Sequence, residues 1–163
     1  MLYPLKFKPV YKDYIWGGKN LKKYNKDISG NVAESWEVSC HPDGESIIEN
    51  GEHKGLSLNQ VIKAHPEDLM GKSIPEKYMQ KFPLLIKFID ANDKLSVQVH
   101  PDDEYAKFIG SNDYGKNEMW HILEAKPGAK LVYGLKKGVD RDIFIKSVKE
   151  GTVEDCLNYI EVY

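Results

Sequence analysis

The sequence predicts a mainly β fold with peripheral helices, and three observations support this prediction. Stretches such as 34–41 and 94–100 alternate apolar and polar residues with the two-residue period of a strand. Short segments with helical spacing and capping residues lie between these stretches. The 163 residues suffice for one well-packed domain, which we assign to residues 1–163.

The composition argues against several classes of function. With 23 basic and 25 acidic residues the net charge is −2, which gives no electrostatic basis for binding nucleic acid or an anionic membrane. The longest apolar run is interrupted by Lys87 and is too short to span a bilayer, and the N-terminus lacks the apolar segment of a signal peptide. Cys40 and Cys156 lie outside any CxxC pattern, so we expect a reduced, cytoplasmic protein without a disulfide scaffold.

Strand signals occur along the whole chain, at 34–41, 45–49, 83–90, 95–100, 117–125, 130–135 and 158–163. The segment 83–90 is almost continuously apolar, which predicts a strand buried on both faces. Pro127 and Gly128 suit the central positions of a type II turn, so the segments on either side of them are predicted to form a hairpin. The alternation at 159–163 indicates either a C-terminal edge strand or a fold that is truncated where a strand begins.

Three helices are predicted from their capping residues. Ser57 is a suitable N-cap for the segment 58–65, and Asp102 for the segment that ends at Gly110. Asp140 begins the clearest helix, which Gly151 ends.

The segment "LSVQVHPDD" at 95–103 carries the main candidate for chemistry. In a strand, Gln98 and His100 lie on one face about 7 Å apart, close enough for both to reach one metal ion. Glu118 is the nearest candidate for a carboxylate ligand. Histidine and carboxylate suit zinc, and the carbonyl of glutamine is an uncommon but possible ligand. The spacing alone leaves two alternatives open, a solvated strand face and a histidine that caps the following turn.

The remaining histidines do not complete this set by spacing. His121 follows Glu118 by three residues and would face the other side of a strand. His41, His53 and His65 lie in predicted turns or at helix ends and are expected to be structural or solvated.

Several separated motifs resemble those of type I mannose-6-phosphate isomerase, in the form found in Gram-positive bacteria. They are "YIWGG", "AESWEVSCHPDG", "FPLLIKFIDANDKLSVQVHPDDEYA", "GKNEMW" and "LNYIEV", in this order along almost the whole chain. The resemblance implies a cupin fold, a double-stranded β-helix or jelly roll, that is incomplete at its C-terminus. It also implies interconversion of mannose 6-phosphate and fructose 6-phosphate with one zinc ion.

The resemblance assigns roles to individual residues. The family's zinc ligands fall on Gln98, His100 and Glu118, and the lysine of the preceding strand falls on Lys87. The glutamate before the first-domain tryptophan falls on Glu34. Trp16 matches a tryptophan that lines the substrate pocket. Trp36 and Trp120, in contrast, are expected to be core aromatics.

Lys87 and Glu34 are the candidates for catalytic roles. Isomerisation requires a base and an electrophile, and a lysine among apolar neighbours would be a candidate acid or base if it faces a cavity. The alternatives are that Lys87 extends its ammonium to the surface and that Glu34 is a carboxylate at the rim of the pocket.

The chain also departs from the family pattern. Family members continue into a region with a second histidine ligand and a catalytic arginine, so this chain resembles their N-terminal half. The first hypothesis is therefore a zinc-dependent isomerase acting on a sugar phosphate. A second is a non-catalytic fragment or half-enzyme that pairs its terminal strand with a C-terminal half-chain or with its own copy. A third is a small metal-binding cupin with another function.

Overall fold

The structure is a computed structural model that describes residues 3–24 and 27–163. The chain forms two compact units, Met1–Ser96 and Val97–Tyr163. Both consist of antiparallel strands accompanied by short helices, so the predicted mainly β architecture with peripheral helices is confirmed.

Two small antiparallel sheets are found in the described residues of the first unit. The first pairs β1 (Phe7–Lys8) with β4 (Ile47–Ile48), and the second has the order β2 (Val10–Lys12), β3 (Glu34–Ser39) and β5 (Leu85–Ile89). In the β3–β5 ladder Trp36 lies opposite Lys87, and the register shifts between Trp36 and Val38. This register brings the side chains of two predicted site residues, Glu34 and Lys87, to one face of the sheet.

The helices of the first unit are a 3-10 helix (Asn20–Tyr24), α1 (Leu58–Ala64), α2 (Pro66–Met70) and α3 (Glu76–Gln80). Ser57 caps α1 as predicted: its hydroxyl accepts from the amide of Gln60, and the Gln60 side chain accepts from the amide of Ser57. Neither α2 nor α3 is predicted from the sequence, because helices of five residues show too little periodicity to be recognised.

The "YIWGG" motif packs closely against the end of the central sheet. A methyl group on Gly17 would lie 2.6 Å from the amide nitrogen of Ala33, and one on Gly18 would lie 2.5 Å from the carboxylate of Asp90. Asp90 is buried and accepts hydrogen bonds from the backbone and side chain of Asn20. The two glycines therefore allow a backbone approach that no side chain would permit.

The second unit contains one strand pair, two α-helices and a 3-10 helix. Its elements are α4 (Asp103–Phe108), β6 (Lys130–Leu135), α5 (Arg141–Glu150), a 3-10 helix (Val153–Cys156) and β7 (Leu157–Glu161). Asp102 and Asp140 cap α4 and α5 as predicted, and Gly151 ends α5 in the left-handed conformation. The predicted turn at Pro127–Gly128 is also present, with a bond from Ala129 N to Lys126 O and Gly128 at φ +78°.

Two predicted strands are wrong. Neither 95–100 nor 117–125 forms a strand in the described residues. Strand β6 therefore pairs with β7 and not with 117–125, its predicted hairpin partner. The apolar side of the first segment is also exposed, with Val97 at 52% and Val99 at 86% exposure. Alternation predicts which way side chains point in an extended chain, but it does not identify a pairing partner.

The expected burial of the 83–90 segment on both faces is wrong as well. The strand itself is present as β5, but Leu84 and Ile86 are 57% and 53% exposed. A continuous apolar run is buried on both faces only where a layer packs on each of them, and among the described residues no such layer covers the face of Leu84 and Ile86. Within the described ranges, each helix is too short or too polar to cross a bilayer.

Candidate functional site

A hydrogen-bonded group in the first unit consists of Glu34, Trp36 and Lys87. The ion pair between Glu34 and Lys87 is called here the lysine pair. Lys87 Nζ lies 2.8 Å from Glu34 Oε1, and Trp36 Nε1 donates to Glu34 Oε2 at 2.7 Å. Glu34 and Trp36 share a face because they are two apart in β3, and Lys87 reaches them from the opposite strand. Both carboxylate oxygens are thus satisfied.

The burial of this group decides between the sequence-based alternatives. The side chain of Glu34 is 9% exposed and that of Lys87 is 20% exposed. Glu34 is therefore a buried carboxylate and not a rim residue, and Lys87 pairs with it and does not extend into water. Trp36, at 7% exposure, belongs to the core as predicted. A partly desolvated ammonium held by a fixed carboxylate is suited to donating hydrogen bonds or a proton to a bound oxygen.

Trp16 lies in the turn before Gly17 and Gly18. Its backbone carbonyl accepts from the amide of Asn92, and its ring contacts Tyr14 with centroids 5.6 Å apart. The glycine pair fixes the position of this turn, so Trp16 is presented from a rigid backbone. Its role in lining a pocket remains a prediction.

Glu118 is the centre of a second group, the Glu118 cluster, in the second unit. Its Oε2 lies 2.7 Å from His100 Nε2 and 2.8 Å from Lys116 Nζ, and its Oε1 accepts from Trp120 Nε1 at 2.6 Å. The structure therefore brings together two of the three predicted metal ligands, His100 and Glu118.

The electrostatics of the cluster favour an ionised Glu118. Partial burial raises the pKa of this carboxyl, but hydrogen bonds from Lys116, Trp120 and His100, with the charge of Lys116, outweigh burial and hold the pKa at about 2. Glu118 is thus a carboxylate at physiological pH, which is the form that binds a metal ion.

The donor chemistry of the cluster fits part of a zinc site. A neutral histidine nitrogen and a carboxylate oxygen are ordinary zinc donors, and here one of each lies 2.7 Å from the other. Gln98, the third predicted ligand, is an exposed residue two positions before His100. In the part of the chain that the structure describes, no three residues of the types His, Cys, Asp and Glu form a metal-binding group. The set present here is therefore a partial one.

The roles of Lys116 and Trp120 are not predicted from the sequence. Trp120 was expected in the core, but it is 42% exposed and donates to Glu118, so that expectation is wrong. The signal was available, since Lys116, Glu118 and Trp120 follow each other at two-residue spacing and so share a side of an extended segment.

The second unit also contains an open depression of about 490 Å³ beside α4. It is lined by Asp103, Lys107, Gly110, Ser111, Asn112, Asp113 and Tyr114. None of the predicted site residues contributes to this lining, and it is not the candidate site.

Comparison with known proteins supports the resemblance. The family profile "Phosphomannose isomerase type I, catalytic domain" matches residues 4–126. A mannose-6-phosphate isomerase of Bacillus subtilis is 35% identical over 98% of this chain and 49% of its own. One from Streptococcus mutans is 42% identical over 82% of this chain and 41% of its own.

A solved structure leads to the same conclusion. The crystal structure of the mannose 6-phosphate isomerase from Bacillus subtilis matches with a TM-score of 0.86 at 33% identity, over 98% of this chain and 49% of that one. The chain belongs to the type I phosphomannose isomerase family, and the predicted fold class is confirmed. It spans about half the length of the relatives that it matches.

Proposed function

We propose that this chain provides the N-terminal half of a mannose-6-phosphate isomerase, an enzyme that interconverts mannose 6-phosphate and fructose 6-phosphate. The observation that carries the proposal is the His100–Glu118 contact, which joins two motifs of the matched family region at 2.7 Å. The match at residues 4–126 crosses the boundary after Ser96, and the solved Bacillus subtilis relative matches 98% of the chain; both support the proposal that 1–163 is one cupin-type domain.

The proposed cofactor is one zinc ion held by Gln98, His100 and Glu118. The support is the donor chemistry, together with the low pKa of Glu118, which keeps this ligand deprotonated. Bound zinc supplies Lewis acidity toward the sugar oxygens. Lys116 and Trp120 hold the carboxylate of Glu118 in place, as supporting hydrogen bonds commonly do for metal ligands.

The proposed roles of the first unit concern the transferred proton. Aldose–ketose isomerisation removes a proton from the carbon beside a carbonyl and returns it to the neighbouring carbon. Lys87 provides a cationic donor for the charge that develops on oxygen, and Glu34 orients that ammonium through the 2.8 Å contact. Trp16 is proposed to line the sugar-phosphate pocket.

A partner chain is part of the proposal. The relatives are about twice as long as this chain, so half of their fold has no counterpart in it. In the described residues β7 pairs only with β6, and Tyr159 and Ile160 on β7 are 47% and 38% exposed. A polypeptide equivalent to the relatives' other half is the proposed partner, and a second copy of this chain is the alternative occupant.

The test measures zinc content and isomerase activity on the same tag-free sample. The chain is assayed alone and after mixing with a polypeptide equivalent to the C-terminal half of the Bacillus subtilis relative. We expect turnover of mannose 6-phosphate and about one zinc per chain in the mixture. His100→Ala should abolish both, whereas His121→Ala, an exposed histidine outside the cluster, should not.

Two results would contradict the proposal. One is a stable complex of both halves that binds zinc but shows no turnover, and the other is turnover that persists in His100→Ala. Association of the chain with itself, without zinc or turnover, would favour the second hypothesis of a non-catalytic fragment.

A further inference from the structure

Two histidines outside the proposed catalytic groups face one another in the first unit. His53 lies in the turn that follows β4, and His65 lies between α1 and α2. Their ring centroids are 5.7 Å apart with an angle of 46° between the planes. They account for two of the five histidines in the chain.

The backbone holds both histidines in fixed positions. The amide of His53 donates to the hydroxyl of Tyr3, which itself donates to the carbonyl of Asn50. The Tyr3 ring also stacks on His53 with centroids 5.7 Å apart. The amide of His65 donates to Val61 O at the end of α1, and its carbonyl accepts from Leu69 in α2. Neither ring is therefore on a freely moving segment.

No described side chain binds the ring nitrogens of this pair. Among residues 3–24 and 27–163, neither ring makes a hydrogen bond or ion pair with another side chain, and the ring contacts are those between the two histidines and between His53 and Tyr3. His100, in contrast, already forms a hydrogen bond with Glu118. Two imidazoles whose nitrogens form no hydrogen bond with a described side chain are a suitable donor pair for a cation that prefers nitrogen.

The separation of the rings suits shared coordination. With Zn–N bonds of 2.0–2.1 Å, two imidazoles on one tetrahedral ion have centroids about 5 Å apart. The observed centroid distance of 5.7 Å exceeds this value by less than an ångström. Small rotations of the two side chains would close that difference. We propose that His53 and His65 form a two-histidine site for a divalent transition metal of the zinc type, with water in the remaining positions.

The proposed site has a structural consequence. A shared ion would connect the 51–55 turn, and Tyr3 through it, to the junction of α1 and α2. Because the folded unit holds the two imidazoles close together, it would bind the ion more tightly than the unfolded chain does, and the ion would raise the thermal stability. No third His, Cys, Asp or Glu joins the pair among the described residues, so we expect moderate affinity.

The test is a titration of the 163-residue chain with ZnCl2, followed by calorimetry and by the thermal midpoint. All proteins carry His100→Ala, so that the Glu118 cluster does not contribute. We expect His53→Gln and His65→Gln each to weaken zinc binding by about tenfold or more, since even supporting residues of a metal site are worth 10–100-fold. The zinc-induced rise of the midpoint should disappear with them.

His121→Gln is the matched control, because His121 is exposed and lies outside the pair. It should bind zinc as the parent does. Equal zinc affinity in the parent and in both pair variants would overturn the proposal, as would an equal loss in the control. If a variant fails to fold, NMR of the imidazole nitrogens in the parent provides an independent test. Zinc should then shift the signals of His53 and His65 together, and unshifted signals would also overturn the proposal.

Discussion

The Nε2 atom of His100 lies 2.7 Å from the Oε2 atom of Glu118, although 18 positions separate the two residues in the chain. Neither residue lies on a strand, so no sheet register enforces the contact. A backbone hydrogen bond from the amide of Lys116 to the carbonyl of Pro101 joins the two segments beside it. Within that frame Glu118 also binds Lys116 and Trp120, so the side-chain contact with His100 depends on the charge of one carboxylate.

The first prediction concerns stability at low pH in metal-free protein. The pKa of Glu118 is about 2 in the folded chain against an ordinary 4.5, so its contribution to stability is complete above about pH 4.5 and disappears as the pH falls through about 2. The difference in free energy of unfolding between the parent and Glu118→Gln should narrow over this range. Urea denaturation at pH 6, 4 and 2.5 measures it.

One further variant tests the cause of this pH dependence, and another serves as its control. Lys116→Met removes a hydrogen bond and a charge, so the pKa of Glu118 should rise, which NMR of the side-chain carboxyl measures. Glu154→Gln replaces an exposed carboxylate and is the control. A stability difference for Glu118→Gln that does not change between pH 6 and 2.5 would contradict the assigned role.

The second prediction concerns the lysine pair. Lys87→Met leaves the buried Glu34 carboxylate without its cation, and we expect a loss of about 1–3 kcal/mol in the free energy of unfolding. Glu34→Gln should also destabilise, but the double variant should cost less than the sum of the two. A double-mutant cycle by chemical denaturation measures this coupling, and additive effects would show that the pair is energetically independent.

The third prediction concerns the glycine pair. The Gly17→Ala methyl group would lie within 2.8 Å of the backbone of Ala33, which cannot move without displacing β3. We expect a loss of about 1–3 kcal/mol in stability, the usual cost of overpacking. Gly110→Asn is the control, because Gly110 has open space around it and a φ of +71° that asparagine tolerates. Equal thermal midpoints for the parent and Gly17→Ala would refute the close packing.

The fourth prediction concerns the thiol of Cys40. Burial raises the pKa of this thiol to about 12, and the charge of Glu45 adds to the effect. At pH 8 its thiolate fraction should be about a thousandfold smaller than that of a free cysteine, so alkylation by iodoacetamide should be slow. Glu45→Gln should increase the rate modestly, because burial remains. Rapid alkylation of Cys40 in the folded chain would contradict the prediction.

The sequence predicted those elements whose signal is local. Ser57, Asp102 and Asp140 identify helix starts because the cap bonds lie within three residues. Strand β3 followed from its alternation, and the contact of His100 with Glu118 was expected from the family motifs.

The errors occurred where long-range pairing decides the structure. The segments 95–100 and 117–125 have strand-like alternation, but the structure assigns β6 to β7 and leaves both segments outside strands. The exposure of Ile86 likewise depends on what covers β5, which a local apolar run does not encode. The His53–His65 contact was not predicted, because it depends on how a turn meets a helix end.

The boundary between Ser96 and Val97 separates the two groups of proposed site residues along the chain. Both residues are exposed, and a single cut there would leave Glu34 and Lys87 on one fragment and His100 and Glu118 on the other. The residues proposed for proton transfer and those proposed for zinc are thus encoded in two consecutive, non-interleaved stretches of gene. One crossover at this codon would exchange either set between relatives without altering the other.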